Sequence, residues 1–132
     1  MLGKLRILIA DDHTLVRAGL VTLMNRMQDM EVVGEAGDGR EALKLVRDLQ
    51  PDIALMDIAM PGLNGLEAAE RIRNDAPKTK VIILSMHAKE EYVAQALKAG
   101  ASGYLLKDAA TTELDMALKA VAQGQFYLSP SI

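Results

Sequence analysis

Five short apolar runs punctuate the chain, at 5–10 (LRILIA), 32–36 (VVGEA), 53–56 (IALM), 81–84 (VIIL) and 103–106 (GYLL). Four are nearly unbroken in apolar character, as strands covered on both faces of a parallel sheet are. The second is interrupted by Gly34 and Glu35 and preceded by Glu31, which predicts an edge position. Between the runs the apolar residues recur at helical spacing instead. Leu15, Val16, Gly19, Leu20, Leu23, Met24 and Met27 form the first such stripe, and Ala42, Leu43, Val46 and Leu49 the second. Leu66, Ala69 and Ile72 form the third, Val93, Ala96 and Leu97 the fourth, and Leu114, Ala117, Leu118 and Val121 the fifth. Pro51 and Pro77 follow the second and third helices, and Gly100 and Gly124 close the fourth and fifth. A regular (βα)5 alternation predicts an α/β fold of three layers, a doubly wound parallel sheet with helices on both faces. Ligands of such sheets bind outside the carboxyl ends of the strands.

That edge is where the polar residues gather. Asp11 and Asp12 follow the first strand, Asp57 the third, Ser85 the fourth and Lys107 the fifth. Two carboxylates about 4 Å apart repel by roughly 4 kcal/mol at an effective dielectric of about 20, so Asp11-Asp12 needs either water or a positive charge beside it. Taken singly, each residue reads as a solvated loop side chain, and Asp12 as a helix cap. The constellation reads differently, because the acid falls on strands 1 and 3 and the lysine on strand 5. Three carboxylates without Cys or His among them suit a hard divalent cation, Mg²⁺ first and Mn²⁺ as a substitute. A carboxylate beside such a cation and a lysine is suited to accept a phosphoryl group, with Asp57 as the nucleophile.

Composition narrows the classes. At 132 residues, the chain has the length of one domain with a real core, and no linker or repeat interrupts it. The absence of cysteine removes disulfides and thiolate metal sites and fits a reducing, cytoplasmic setting. No apolar run nears the roughly 20 residues that span a bilayer, so no membrane role is expected. Net charge is −3 with basic residues scattered, which is no footprint for nucleic acid.

The sequence resembles a response-regulator receiver domain of the CheY-like kind, over essentially its whole length. Asp11-Asp12, "LMDIAMPGLNG" around Asp57, "ILSMH" around Ser85 and "GASGYLLKD" around Lys107 carry the resemblance. The last, with "DDHTLVRAGL", is similar to the NarL/FixJ (LuxR-type) branch. The resemblance implies the flavodoxin-like strand order 2-1-3-4-5. It implies Asp57 as the phosphoacceptor for a sensor histidine kinase and Asp12 as a direct Mg²⁺ ligand. Asp11 would act mostly through water, and Ala59 would lend its backbone carbonyl. Lys107 would pair with the phosphoryl oxygens, Ser85 would hydrogen-bond them, and Tyr104 would swing inward, reshaping the surface of helix 4, strand 5 and helix 5. The implied role is a switch in two-component signal transduction that catalyses only its own phosphorylation and dephosphorylation. It would control transcription through a helix-turn-helix domain absent from this chain, with a homodimer forming on phosphorylation.

The chain departs from the common pattern in places. Asp108 follows Lys107 where many receivers have proline and a cis bond, which before a non-proline residue costs about 2.5–4 kcal/mol. Met86 replaces a small residue and would narrow access to the phosphoryl group. Ala59 and His87 hold the positions two residues beyond Asp57 and Ser85 that influence the phosphoryl lifetime in this family.

Other readings are weaker. "GDGREA" at 37–42 fits a dinucleotide fingerprint, but it follows an edge strand and puts Asp38 at the pyrophosphate, so a turn and a helix start at Gly39 are expected. His13 and His87 are assigned packing or incidental roles rather than a metal site. Met24, Met27, Met56 and Met116 read as core filler. A Mg²⁺-dependent aspartyl phosphatase of the haloacid-dehalogenase type needs D-x-D, and here the phrase is Asp57-Ile58-Ala59. A flavin-binding relative would want a Ser/Thr/Gly-rich loop after strand 1, where this chain has Asp-Asp-His. An excised receiver is expected, with a stand-alone receiver as the alternative.

Overall fold

The computed structural model describes residues 3–132. The elements alternate as β1 (Leu5–Ala10), α1 (Thr14–Asn25), β2 (Met30–Ala36), α2 (Gly39–Leu49), β3 (Ile53–Asp57), α3 (Gly65–Asp75), β4 (Lys80–Ser85), α4 (Glu90–Lys98) and β5 (Gly103–Leu106). A short 3-10 turn at Lys107–Ala109 leads into α5 (Ala110–Ala122), and β6 (Tyr127–Leu128) follows. All strand pairs are parallel, in the order β2-β1-β3-β4-β5-β6.

Strand alternation divides the core into two layers. Ile7, Ile9, Ile53, Leu55, Ile82 and Leu84 point to the α1 and α5 side, against Leu20, Met24, Leu114 and Leu118. Leu8, Ala10, Ala54, Met56, Val81 and Ile83 point the other way, against α2, α3 and α4 through Val46, Ala69, Ile72 and Ala96. The helices therefore cover both faces, and β1, β3 and β4 lie inside the sheet. β2 lies at one edge as its broken pattern predicts, and its register against β1 shifts at Ile7/Leu8.

The expected strand order gains one strand, and three expectations of burial need correction. The sheet has a sixth strand: Tyr127 pairs with Gly103 and Leu128 with Tyr104, covering the free edge of β5. The first stripe is narrower than its spacing implies, since Leu20 and Met24 are buried whereas Leu15 is 86% exposed and Val16 40%. Both exposed residues lie in the first turn of α1, nearest the carboxyl edge where the sheet ends. Met116 is 62% exposed and not core, because it faces away from Leu114, Ala117, Leu118 and Val121 on the same helix. Leu97 is likewise about half exposed.

Local signals behave as their chemistry requires. Asp38 caps α2, its carboxylate accepting the Glu41 amide at 2.8 Å, while Glu41 Oε1 accepts from the Gly37 amide at 2.9 Å. The turn and helix start expected at Gly39 are thus what "GDGREA" forms. Asn64 and Glu67 make a reciprocal capping box at α3, which fixes where the chain leaves the β3–α3 loop. Gly65 opens that helix against β3, and a Cβ there would collide with the Asp57 carbonyl oxygen and lie 3.0 Å from Ile58 Cα. No peptide bond among the described residues is cis, so Lys107–Asp108 is trans. Among the described residues, no helix is long and apolar enough to cross a membrane.

Candidate functional site

The carboxyl ends of β1, β3 and β5 bring Asp11, Asp57 and Lys107 together. Asp57 is the last residue of β3 and 2% exposed, and Asp11 directly follows β1 and is fully buried. Lys107 Nζ lies 2.9 Å from Asp57 Oδ2 and 3.1 Å from Asp11 Oδ2, so one ammonium bridges two buried carboxylates. Asp57 Oδ1 accepts the Ala59 amide at 3.2 Å. Asp12, the next residue out, keeps a third of its side chain in solvent at the mouth.

The electrostatics follow from burial and these partners. Burial pushes the Asp57 carboxyl above its ordinary value; the Lys107 hydrogen bond pulls the other way, and the neighbouring Asp11 charge adds to the rise. Burial also resists ionisation of Asp11, but the His13 amide and the Lys107 ammonium outweigh it and hold its pKa below the usual range. Lys107 is pushed up, because Asp57 and Asp11 together outweigh the burial of its charge. Three carboxylates, those of Asp11, Asp12 and Asp57, thus share the pocket with the Lys107 ammonium.

Whether a divalent cation fits can be judged from Asp11. Its Oδ2 is fully buried and makes no hydrogen bond, and the Lys107 ammonium stands at ion-pair distance, 3.1 Å. A buried carboxylate oxygen without a hydrogen bond is costly, and a divalent cation would add to the single ammonium charge that Asp11 and Asp57 share. Asp11, Asp12 and Asp57 offer oxygen donors close enough together for one ion. The residues fit a hard cation.

Sequence reasoning missed the part played by His13. Its Nδ1 lies 3.0 Å from Asp11 Oδ1, 3.3 Å from Asp12 Oδ1 and 3.5 Å from Asp57 Oδ2, inside the acidic pocket and not in a packing position. The signal was its place directly after the two aspartates. Arg17 was also missed: its guanidinium donates to the carbonyls of Asp11 at 2.7 Å and Ala36 at 3.2 Å, tying together the ends of β1 and β2.

Ser85 and Tyr104 form a second group one strand over. Ser85, fully buried at the end of β4, accepts the His87 amide at 3.0 Å. Tyr104 is fully buried, and its hydroxyl donates to the His87 carbonyl at 2.7 Å. His87 stacks on Tyr92 with ring centroids 4.3 Å apart, a packing role as expected. Met86 is 68% exposed beside this segment.

Comparison with known proteins places this arrangement. The family model described as "Response regulator receiver domain" matches residues 7–119. The transcriptional regulatory protein YxjL of Bacillus subtilis is 46% identical over 122 residues, covering 92% of this chain and 56% of that protein. The transcriptional regulatory protein DegU of Brevibacillus brevis is 44% identical over 130 residues, covering 98% of this chain and 55% of that protein. The chain thus spans little more than half the length of these relatives. Among solved structures, a LuxR-family two-component response regulator from Aurantimonas superposes with a TM-score of 0.93 at 38% identity, covering 98% of this chain and 93% of that one. The NarL signal receiver domain of Mycobacterium tuberculosis gives 0.90 at 40% identity, covering 94% of this chain and all of that one.

Proposed function

Since the chain belongs to the response regulator receiver family, as a receiver domain of the NarL/LuxR type, we propose that Asp57 accepts a phosphoryl group from a sensor histidine kinase in a Mg²⁺-dependent step. The observation that carries this reading is the single ammonium of Lys107 bridging two buried carboxylates at the strand ends. One of the two is held ionised by its partners, and the other is the terminal residue of a rigid central strand. Asp11, Asp12 and Asp57, with the Ala59 backbone carbonyl, would hold the cation. When bound, Mg²⁺ neutralises charge on the transferring group and orients it for in-line attack.

The protein's own groups do the rest. An Asp57 carboxylate oxygen forms the new bond to phosphorus while the bond from phosphorus to the donor breaks, its electron pair leaving with the donor. The Ala59 amide holds the other oxygen in place. Lys107 then shifts its donation from the Asp57 carboxylate to a phosphoryl oxygen, which stays within its reach. Ser85 accepts the His87 amide yet keeps its own hydroxyl proton, which it donates to the phosphoryl group. That contact draws on the segment 85–89, whose backbone already holds the Tyr104 hydroxyl, and so reaches the surface of α4, β5 and α5. The same surface would control an output, transcription through a DNA-binding domain and a homodimer, in a cytoplasmic protein. A phosphatase of the dehalogenase type is disfavoured because Ala59 supplies no second acid.

Acetyl phosphate with and without Mg²⁺, followed by intact mass, tests the reading. Wild type should gain one Mg²⁺-dependent phosphoryl adduct, and Asp57→Ala should gain none while remaining folded. Labelling of the variant would remove Asp57 from its role.

A further inference from the structure

The imidazole of His13 is the functional group in the acidic pocket that phosphoryl acceptance does not use. We propose that His13 Nδ1 is a direct metal ligand that biases the pocket toward first-row transition dications, with Mn²⁺ as the probe, over Mg²⁺. The proposal rests on the reading of this pocket as a divalent-cation site.

The geometry is already close to coordination. The four donor atoms of Asp11, Asp12, His13 and Asp57 all lie within 4.8 Å of one another. An octahedral ion about 2.1 Å from its ligands separates adjacent donors by about 3.0 Å. His13 Nδ1 stands 3.0, 3.3 and 3.5 Å from the three carboxylate oxygens, so it lies near one ligand edge from each. Nor is its backbone loose there. The His13 amide donates to Asp11 Oδ1 at 2.8 Å, so the same carboxylate that would hold the ion also fixes the residue carrying the ring. Asp11 Oδ2 is buried with no hydrogen bond and faces the Lys107 ammonium at 3.1 Å, a contact with positive charge that a bound ion would supplement.

The ring nitrogen can take the electronic form a ligand needs. Lys107 Nζ lies 3.1 Å from Nδ1 and can only donate, so a hydrogen bond between them uses the tautomer with its lone pair on Nδ1. The opposite tautomer would donate to Asp11 Oδ1, and the two alternatives compete for one atom. A bound transition metal takes the lone pair and selects the first.

Donor chemistry then sets the preference. Carboxylate oxygens serve Mg²⁺ and Mn²⁺ alike, whereas imidazole nitrogen serves transition metals far better than Mg²⁺, which holds its waters tightly. The His13 side chain is 57% exposed, so it has room to turn away and admit hydrated Mg²⁺. On this account Mn²⁺ binds with the ring in and Mg²⁺ with the ring out.

Calorimetric titration of wild type, His13→Ala and His13→Gln with each metal tests the idea, with pulsed EPR of the Mn²⁺ complex alongside. Wild type should show nitrogen coupling to Mn²⁺ that both variants lack. Mn²⁺ affinity should fall by on the order of tenfold in the variants, the scale on which metal sites respond to loss of a supporting group, while Mg²⁺ affinity holds. Absence of nitrogen coupling in a wild-type complex that binds Mn²⁺ overturns the proposal. So does an equal loss for both metals, and so do variants that bind both metals as wild type does; in each case the cation site itself stands. Failure of wild type to bind either metal overturns the cation site and this proposal together.

Discussion

Lys107→Met keeps most of the stem volume and removes the charge that bridges Asp57 and Asp11. At 2.9 and 3.1 Å, each pair is worth about 5–6 kcal/mol of gross attraction at an effective dielectric of about 20. The cost of burying three charges offsets most of that, but truncating one partner leaves both carboxylates buried and opposed. Cutting a buried ion pair costs about 3–5 kcal/mol. The exposed Asp12 and His13 admit water at the mouth, which puts the expected loss near the lower bound, about 3 kcal/mol. For a chain of this length that is a fall in Tm of ~10 °C. Mg²⁺ should restore much of it, because the ion takes over the task of the ammonium. Thermal and urea unfolding followed by circular dichroism, in EDTA and in Mg²⁺, gives both readings. A variant as stable as wild type in EDTA would mean that the two carboxylates are solvated and the bridge is weak. A loss that Mg²⁺ does not repair would mean that the ion binds elsewhere.

Two further outcomes follow from the same structure. Gly65→Ala gains helix propensity but drives a Cβ into the Asp57 carbonyl, so a net loss of about 1–2 kcal/mol is expected in urea unfolding. The strand end must shift to relieve the clash, and the rate of acetyl phosphate labelling should fall with it; unchanged stability and rate would show that the helix start yields instead. Tyr127 donates to Glu113 Oε1 at 2.7 Å, and burial together with that carboxylate pushes the phenol up to about 12. A raised folded pKa means stability that is complete below the ordinary value of about 10 and lost as pH rises through about 12. Ultraviolet titration against Tyr127→Phe should place one phenol near that upper value, and wild type should lose stability over this window more than the variant; coincident curves would remove the effect.

The sequence was most legible where one physical requirement dominated. Strands covered on both faces must be apolar throughout, so β1, β3, β4 and β5 were read nearly to their ends. Asp11, Asp57 and Lys107 were legible together because each terminates such a run. What escaped needed three-dimensional information. The pair Tyr127–Leu128 is too short to display a period, and its strand character comes from the β5 backbone. Leu15 and Val16 obey helical spacing, but spacing cannot say how far the sheet beneath extends. His13 was read as incidental because one ring nitrogen in a sequence does not reveal that three carboxylates converge on it. Tyr104 is buried with its hydroxyl held by the His87 carbonyl, a contact that no spacing along the chain announces.

The two rims of the sheet are protected by different means. β2 is blunted within itself, by Glu31 and Glu35, by Gly34 and by a slipped register against β1. β5 has no such defence: Gly103, Tyr104 and Leu105 are buried and uncharged, and β6 covers their outer rim. That cover is pinned by Ser129, whose amide donates to the Tyr104 carbonyl at 3.1 Å, and whose hydroxyl accepts the Leu106 amide at 2.9 Å and donates to Glu113 at 2.8 Å. If β6 peels away, a flat uncharged ladder of unpaired amides and carbonyls opens to whatever strand is nearest, including that of another copy. Two residues and one serine thus decide whether this side of the molecule is inert or adhesive.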